Sequence, residues 1–78
     1  MSIEERVSRV LVNGIGLEPG EIMPSAELKQ DLGVDSTEMV EVLVALEKEF
    51  GVKIPDGVIS GGSRIRDVVD YLSRTLIQ

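Results

Sequence analysis

Apolar residues recur at three- and four-residue spacing in three stretches of the chain, and this pattern predicts three amphipathic helices. The apolar positions of the first stretch are Ile3, Val7, Val10 and Leu11. Ser2 followed by Glu5 forms a capping-box pattern, and Glu5 and Arg9 have the spacing of an ion pair within a helix. We therefore expect a first helix from about Ser2 to Asn13, with Gly14 as its C-terminal stop.

The segment from Gly14 to Asp35 is rich in Gly, Pro and Ser, which predicts a long loop with a helical turn in its SAELKQ stretch. Loops of this length in compact domains tend to be functional. Six apolar residues of the segment are expected to hold it against the core: Ile15, Leu17, Ile22, Leu28, Leu32 and Val34.

The strongest helical pattern runs from Ser36 to Phe50. At about 100° per residue, one sector about a third of the circumference wide contains Met39, Val42, Leu43, Leu46 and Phe50. The opposite sector contains Thr37, Glu41, Val44 and Lys48, with Val40 near its edge. Because a solvated face should be polar, Val44 is out of place there. Gly51 is expected to end this helix, and Pro55 prevents its quick resumption.

The remaining chain predicts a weak element followed by a full helix. Residues 56–63, DGVISGGS, are too rich in glycine for more than a short, weak helix or a loop. Ser63 is the expected N-cap of a last helix with Ile65, Val68, Val69, Leu72 and Leu76 at helical spacing. No strand alternation or repeat is present. The expected fold is therefore all-α, a small four-helix bundle of three main helices and one short one, formed by residues 1–78 as a single domain.

Composition narrows the possible functions. The chain has 78 residues, no cysteine and no histidine, so disulfide, thiolate and zinc-thiolate chemistry are excluded, and a reducing compartment fits. A net charge of −6 and the lack of a basic patch make nucleic acid an unsuitable partner. The N-terminal sequence has neither a signal peptide nor a membrane span, which favours the cytoplasm and no membrane association.

Ser36, in the stretch DLGVDSTEMVE, is the residue whose chemistry needs an explanation. A nucleophilic serine requires a base, and without histidine a self-contained hydrolase is disfavoured. Asp31, Gly33 and Asp35 resemble the start of a calcium-binding EF-hand loop, but the third and twelfth positions lack ligands, so we reject that interpretation. Capping of the helix by Ser36 or Asp35 is the simplest structural explanation. It leaves unexplained why a serine, several carboxylates and an exposed Val44 occur together.

The segment DLGVDSTEMVEVLVALEKEFGVKIPD, from Asp31 to Asp56, resembles the signature of the acyl carrier protein family. The resemblance lies in an Asp-Ser pair that opens a helix, preceded by Leu-Gly and followed by Phe-Gly and Ile-Pro. It covers about a third of the chain, and chain length, acidity and the helix plan agree with it elsewhere.

The resemblance implies that Ser36 is modified rather than catalytic. In the family, a phosphopantetheinyl transferase moves 4'-phosphopantetheine from coenzyme A to this serine, and the thiol of the arm carries acyl groups as thioesters between enzymes. No metal site and no catalytic residue are expected in the chain itself. The helix from Ser36 to Phe50 is then the surface that meets basic patches on the transferase and on ketosynthase- or acyltransferase-type enzymes. Its expected partner-binding residues are Asp35, Thr37, Glu38, Val40, Glu41, Val44 and Glu47. A shuttle of this kind is expected to be a monomer.

Thr37 and Lys48 depart from the family pattern, and residues 56–67 are more glycine-rich and basic than in carriers of fatty acid synthesis. These departures favour a discrete carrier of polyketide or other specialised biosynthesis. A peptidyl or aminoacyl carrier of a nonribosomal or hybrid pathway and an unmodified acidic-helix binding module remain as alternatives.

Overall fold

The computed structural model describes residues 1–77 and shows an all-helical chain. Its α-helices are α1 (Ile3–Ile15), α2 (Ser36–Phe50) and α3 (Ile65–Ile77). One short 3₁₀ helix, Pro19–Glu21, lies in the loop between α1 and α2. Among the described residues there is no β-strand, only an isolated antiparallel bridge between Glu27 and Arg64. The predicted all-α bundle with a long first loop is confirmed. No helix in the described range is long and apolar enough to cross a membrane.

The start of α1 follows the sequence pattern, whereas its end does not. Ser2 is the N-cap, and its hydroxyl accepts a bond from the Glu5 N–H at 3.1 Å. The bonds that Ser2 donates to the Glu5 carboxylate lower the pKa of that carboxyl, with smaller contributions from the N-terminal charge and Arg9. The helix ends at Gly16, with φ of 72°, and not at Gly14 as predicted. Because Ile15 packs against the core, the helix continues through Gly14 to place it there.

One core, aliphatic except for Phe50, joins the helices and both connections. α1 packs against α2 and α3. The core consists of Val7, Leu11, Ala26, Leu28, Leu32, Val34, Val42, Leu46, Phe50, Ile54, Ile59, Ile65, Val68 and Leu72. Met39 and Leu43 of α2 pack partly buried against it, so the predicted inner face of this helix is confirmed. The outer residues Val40 and Val44 are 61% and 44% exposed.

The long loop is fixed by burial of its own side chains, as predicted. Leu28, Leu32 and Val34 are buried, while Ile15, Leu17 and Ile22 pack at the edge of the core. The predicted helical turn in SAELKQ is an isolated turn that closes beyond that stretch, with the Asp31 N–H bonded to the Glu27 carbonyl at 3.1 Å.

Backbone hydrogen bonds tie this loop to the chain that leads into α3. The Leu28 N–H donates to the Ser63 carbonyl at 3.0 Å, and the Lys29 N–H donates to the Gly61 carbonyl at 2.9 Å. The Arg64 guanidinium adds a bond of 2.6 Å to the Ser25 carbonyl. These contacts join two irregular segments into one layer of the domain.

Ser63 is not the N-cap of α3, contrary to the prediction. Its hydroxyl accepts a bond from the Ser60 N–H at 3.0 Å, and the helix begins two residues later at Ile65. The Asp67 carboxylate accepts from the Arg64 N–H at 2.9 Å instead. The sequence allowed either a short, weak helix or a loop for the DGVISGGS segment. The structure has a loop there, with a turn at residues 56–58.

A side-chain clamp joins the start of α1 to the end of α2. Arg6 donates to the Glu49 carboxylate at 2.9 Å and to the Glu49 carbonyl at 2.8 Å. Its guanidinium also lies 4.3 Å from the centre of the Phe50 ring. The predicted Glu5 to Arg9 ion pair is not formed within the described residues, because the Glu5 carboxylate is bound to Ser2, and Arg9 attracts it only at longer range.

Two leucines of α3 provide a matched test of the core. Leu72 is fully buried and Leu76, one turn later, is 40% exposed. Replacing Leu72 by alanine should lower the free energy of unfolding by about 2–5 kcal/mol, because it leaves a cavity. Leu76→Ala should lower it by less than about 1 kcal/mol. Urea unfolding followed by circular dichroism measures both, and equal losses would contradict the described packing.

Candidate functional site

The loop before α2 reverses direction at Gly33, and this turn brings Ser36 to the surface. Gly33 has φ of 69°, a left-handed conformation that glycine adopts without a steric penalty. Its N–H donates to the Lys29 carbonyl at 3.1 Å, and the Val34 N–H donates to the Leu28 carbonyl at 2.9 Å. Val34 enters the core, and the chain then emerges at Asp35. In the Leu-Gly-Val-Asp sequence, the Leu and Val side chains are therefore buried in the core, the Gly makes the turn, and the Asp returns the chain to the surface.

Asp35 and Glu38 cap the start of α2 by bonding to each other's backbone. The Asp35 carboxylate accepts from the Glu38 N–H at 2.7 Å, and the Glu38 carboxylate accepts from the Asp35 N–H at 3.1 Å. The sequence left open whether Asp35 or Ser36 caps the helix, and the structure shows that Asp35 does. Ser36 is the first helical residue, and its side chain does not cap the helix.

The Ser36 hydroxyl is exposed and unengaged. The hydroxyls of Ser2 and Ser63 accept bonds from backbone N–H groups, whereas that of Ser36 takes part in no hydrogen bond within residues 1–77. The N–H groups of Ser36 and Thr37 belong to the first turn, which has no helical carbonyl to accept them. The site thus offers a free hydroxyl beside two backbone donors.

The outer face of α2 surrounds this hydroxyl with acidic and apolar side chains. Thr37, Val40, Glu41 and Val44 are all exposed along the helix. Together with the Asp35 and Glu38 carboxylates at its start, they form one continuous surface, which we call the α2 face. Six of the seven predicted partner-binding residues lie on it.

Glu47, the seventh predicted partner-binding residue, has a different position. It is only partly exposed, and its carboxylate accepts a bond from the Ile54 N–H at 2.7 Å. It therefore holds the chain after α2 in place. A signal was available in the sequence, because Glu47 lies one turn after Leu43, at the edge of the inner face of α2.

The acidic residues that resemble a calcium loop are used in other ways. The Asp31 carboxylate accepts from the Glu27 N–H at 2.8 Å, and Asp35 caps α2. Within the described range, no group of three or more candidate ligands is placed to hold a metal ion.

Comparison with known proteins identifies the family. The family profile of the phosphopantetheine attachment site matches residues 5–72, which span all of α2 and the loop before it. Acyl carrier proteins of Nitratidesulfovibrio vulgaris, strains DP4 and Hildenborough, are each 37% identical over 73 residues, covering 94% of this chain and 96% of theirs. The chain therefore belongs to the acyl carrier protein family, a class of carrier proteins that hold 4'-phosphopantetheine covalently.

The described residues fit such a prosthetic group. A phosphodiester needs an accessible hydroxyl and space for its oxygens, and Ser36 offers an exposed hydroxyl with unpaired backbone N–H groups next to it. When bound, the group supplies the thiol that this cysteine-free chain lacks. The negative charges of Asp35 and Glu38 oppose a phosphate electrostatically, so the fit rests on access and backbone donors rather than on net charge.

Substitution of Asp35 tests the cap that presents Ser36. Asp35→Ala should lower the free energy of unfolding by about 1 kcal/mol, because the Glu38 N–H loses its acceptor, whereas Asp35→Asn should nearly retain stability. Asp56→Ala, which removes the same charge from an exposed loop position, is the control. Chemical denaturation measures all three. A loss in Asp56→Ala equal to that in Asp35→Ala would show that charge, not capping, is responsible.

Proposed function

We propose that Ser36 is the attachment site of 4'-phosphopantetheine and that residues 1–78 form a single carrier domain that moves acyl thioesters between enzymes. The observation that carries this proposal is the exposed, unengaged Ser36 hydroxyl at the first position of α2. The family match supports it, because the matched profile describes a phosphopantetheine attachment site and includes this segment.

In the modification, Ser36 supplies the nucleophilic oxygen and little else. A bond forms between its Oγ and the phosphorus that carries the pantetheine arm in coenzyme A, the phosphoanhydride bond breaks, and the nucleotide part leaves. We assign the hydroxyl proton to a base of the phosphopantetheinyl transferase, because this chain contains no histidine and the Asp35 and Glu38 carboxylates are bound to backbone N–H groups. The metal ion for this step is likewise assigned to the transferase.

The capping box gives Ser36 a fixed position for that transfer. Asp35 and Glu38 hold the first turn of α2, so the Ser36 side chain leaves the helix in a defined direction. The N–H groups of Ser36 and Thr37 face the site where the phosphodiester forms, at the positive end of the helix dipole. These donors offset part of the repulsion from the two carboxylates.

The α2 face is the surface we assign to partner recognition. Val40 and Val44 supply apolar contact, while Asp35, Glu38 and Glu41 attract basic side chains of the transferase and of acyl-handling enzymes. Thr37 borders the modified residue and contributes a contact next to it. Glu47 supports this surface through Ile54 rather than through direct contact. Electrostatic attraction of this kind favours fast, salt-sensitive and reversible binding.

The pathway we propose is polyketide or related specialised biosynthesis, in the cytoplasm and with a monomeric carrier. The supporting features are Thr37 and Lys48 on the outer side of α2 and the glycine-rich, partly basic segment 56–67. A carrier of fatty acid synthesis and a peptidyl or aminoacyl carrier are the alternatives. Loading assays with malonyl, acyl and aminoacyl donors distinguish these cargoes.

Ser36→Ala should abolish loading while leaving the fold intact. After incubation with coenzyme A, magnesium and a promiscuous transferase, intact-protein mass spectrometry should show one added phosphopantetheine on the wild type and none on this variant. Ser25→Ala is the matched control, because Ser25 is also exposed and its structural contact is made by the backbone carbonyl. Circular dichroism should show unchanged helicity in both variants.

A wild-type protein that gains no phosphopantetheine mass would favour an unmodified binding module. In that case Ser36→Ala retains its biological activity, and charge reversal of Glu41 abolishes it. Loading that persists in Ser36→Ala would place the modification at another residue and overturn the assignment.

A further inference from the structure

A shallow groove of about 400 Å³ lies between α1 and α2, away from Ser36. Its floor includes Val10, Gly14 and Ala45, and its rim carries Arg9, Lys48 and Glu49. A side-chain carbon at Gly14 would meet no atom within 4 Å, so the floor is open at this point. The groove has room for an apolar side chain of another molecule.

The rim of this groove is basic, although the protein as a whole is acidic. Arg9 and Lys48 are both exposed, and within residues 1–77 neither belongs to an ion pair. The Glu49 carboxylate is held by Arg6 at 2.9 Å, so its charge is largely compensated. Glu5, the acid one turn before Arg9, is bound to Ser2. Within the described residues neither rim cation therefore forms an ion pair, although Glu5 attracts Arg9 at longer range, and both lie in a chain of net charge −6.

The groove continues the α2 face toward the end of the helix. Glu41 and Lys48 lie seven residues apart, which is two turns and about 10 Å on the same side of α2. Lys48 is about 18 Å along the helix from Ser36. The surface is thus acidic near Ser36, apolar at Val40 and Val44, and basic at the groove.

We propose that the groove docks an acidic helical segment of a partner enzyme, with an apolar side chain on its floor and carboxylates facing Arg9 and Lys48. The proposal rests on the proposed function, because it assumes that the α2 face meets enzymes that act on a group at Ser36. It adds that a matching enzyme is basic where it meets the start of α2 and acidic about three turns further along the helix. An enzyme that is basic at that position would be repelled by Arg9 and Lys48. A carrier that is acidic there would in turn be repelled by the acidic segment of a matching enzyme.

A second copy of the chain is a poorer occupant. The acidic start of α2 in one copy would complement the groove of another, but two domains of charge −6 repel each other at low salt. A partner enzyme with an acidic segment can bind in the groove without this repulsion between two acidic domains. Self-association remains an outcome that the experiment detects.

The test titrates the full chain with two synthetic helical peptides that share a leucine stripe and differ only in flanking Glu or Gln residues. Amide shifts in nuclear magnetic resonance spectra should map the Glu peptide to Val10, Gly14 and Ala45. The Gln peptide should bind roughly tenfold more weakly, and added salt should narrow this difference. Arg9→Glu and Lys48→Glu should each weaken the Glu peptide roughly tenfold.

Arg66→Glu is the control for net charge, because Arg66 is exposed on α3 and makes the same change in charge. It should leave the affinity for the Glu peptide within about twofold of the wild type. Equal affinity for the two peptides, equal weakening by Arg66→Glu, shifts located elsewhere, or self-association through α1 and α2 would each overturn the proposal.

Failure of the groove proposal and failure of the proposed function give different results. Peptide binding is read without any modification of Ser36, and the mass gain from the transferase is read without the peptide. A chain that gains the mass but does not prefer the Glu peptide remains a carrier without this docking groove. A chain that prefers the Glu peptide but gains no mass has the groove and is not the proposed carrier.

Discussion

Burial of the long loop is the constraint on which the presentation of Ser36 depends. The segment has no regular structure beyond one short 3₁₀ helix, so its position is set by Leu28, Leu32 and Val34 in the core and by backbone bonds to residues 61–66. Without this packing, the turn at Gly33 would not deliver the chain to the start of α2. A loop without regular structure thereby becomes a fixed support for the exposed Ser36 hydroxyl.

α2 serves the core and the surface at the same time. Its inner residues Val42, Leu46 and Phe50 are buried, and Arg6 and Glu47 secure its far end through the Glu49 and Ile54 backbones. The outer side is then free to carry exposed valines and carboxylates, which add nothing to the core. In a domain this small, such a division allows exposed residues such as Val40, Glu41 and Val44 to vary without loss of the core.

The sequence predicted the elements that depend on local signals and missed those that depend on distant contacts. The bounds of α2 were predicted correctly, because Asp35, Ser36 and Gly51 carry strong start and stop signals. The end of α1 was misplaced at Gly14, since only packing of Ile15 shows that the helix continues. Ser63 was misassigned as a cap because its bond to Ser60 forms within a turn that no periodicity reveals. For the same reason, the Arg6 clamp, the Ile54 N–H that donates to the Glu47 carboxylate and the basic groove could be found only once α1, α2 and the loops were placed in space. The Asp31 to Asp56 segment, supported by chain length, acidity and the helix plan, predicted the family, and the comparisons confirm it. The roles of Ser36 and of the residues on the α2 face stay predictions.

The most direct test is to locate the prosthetic group on the wild-type protein. Peptide fragmentation after treatment with the transferase should assign a single phosphopantetheine to Ser36, the free hydroxyl at the start of α2. Assignment to an exposed serine outside α2, such as Ser25 or Ser60, or to Thr37, would contradict the central claim that the loop and the cap exist to present Ser36.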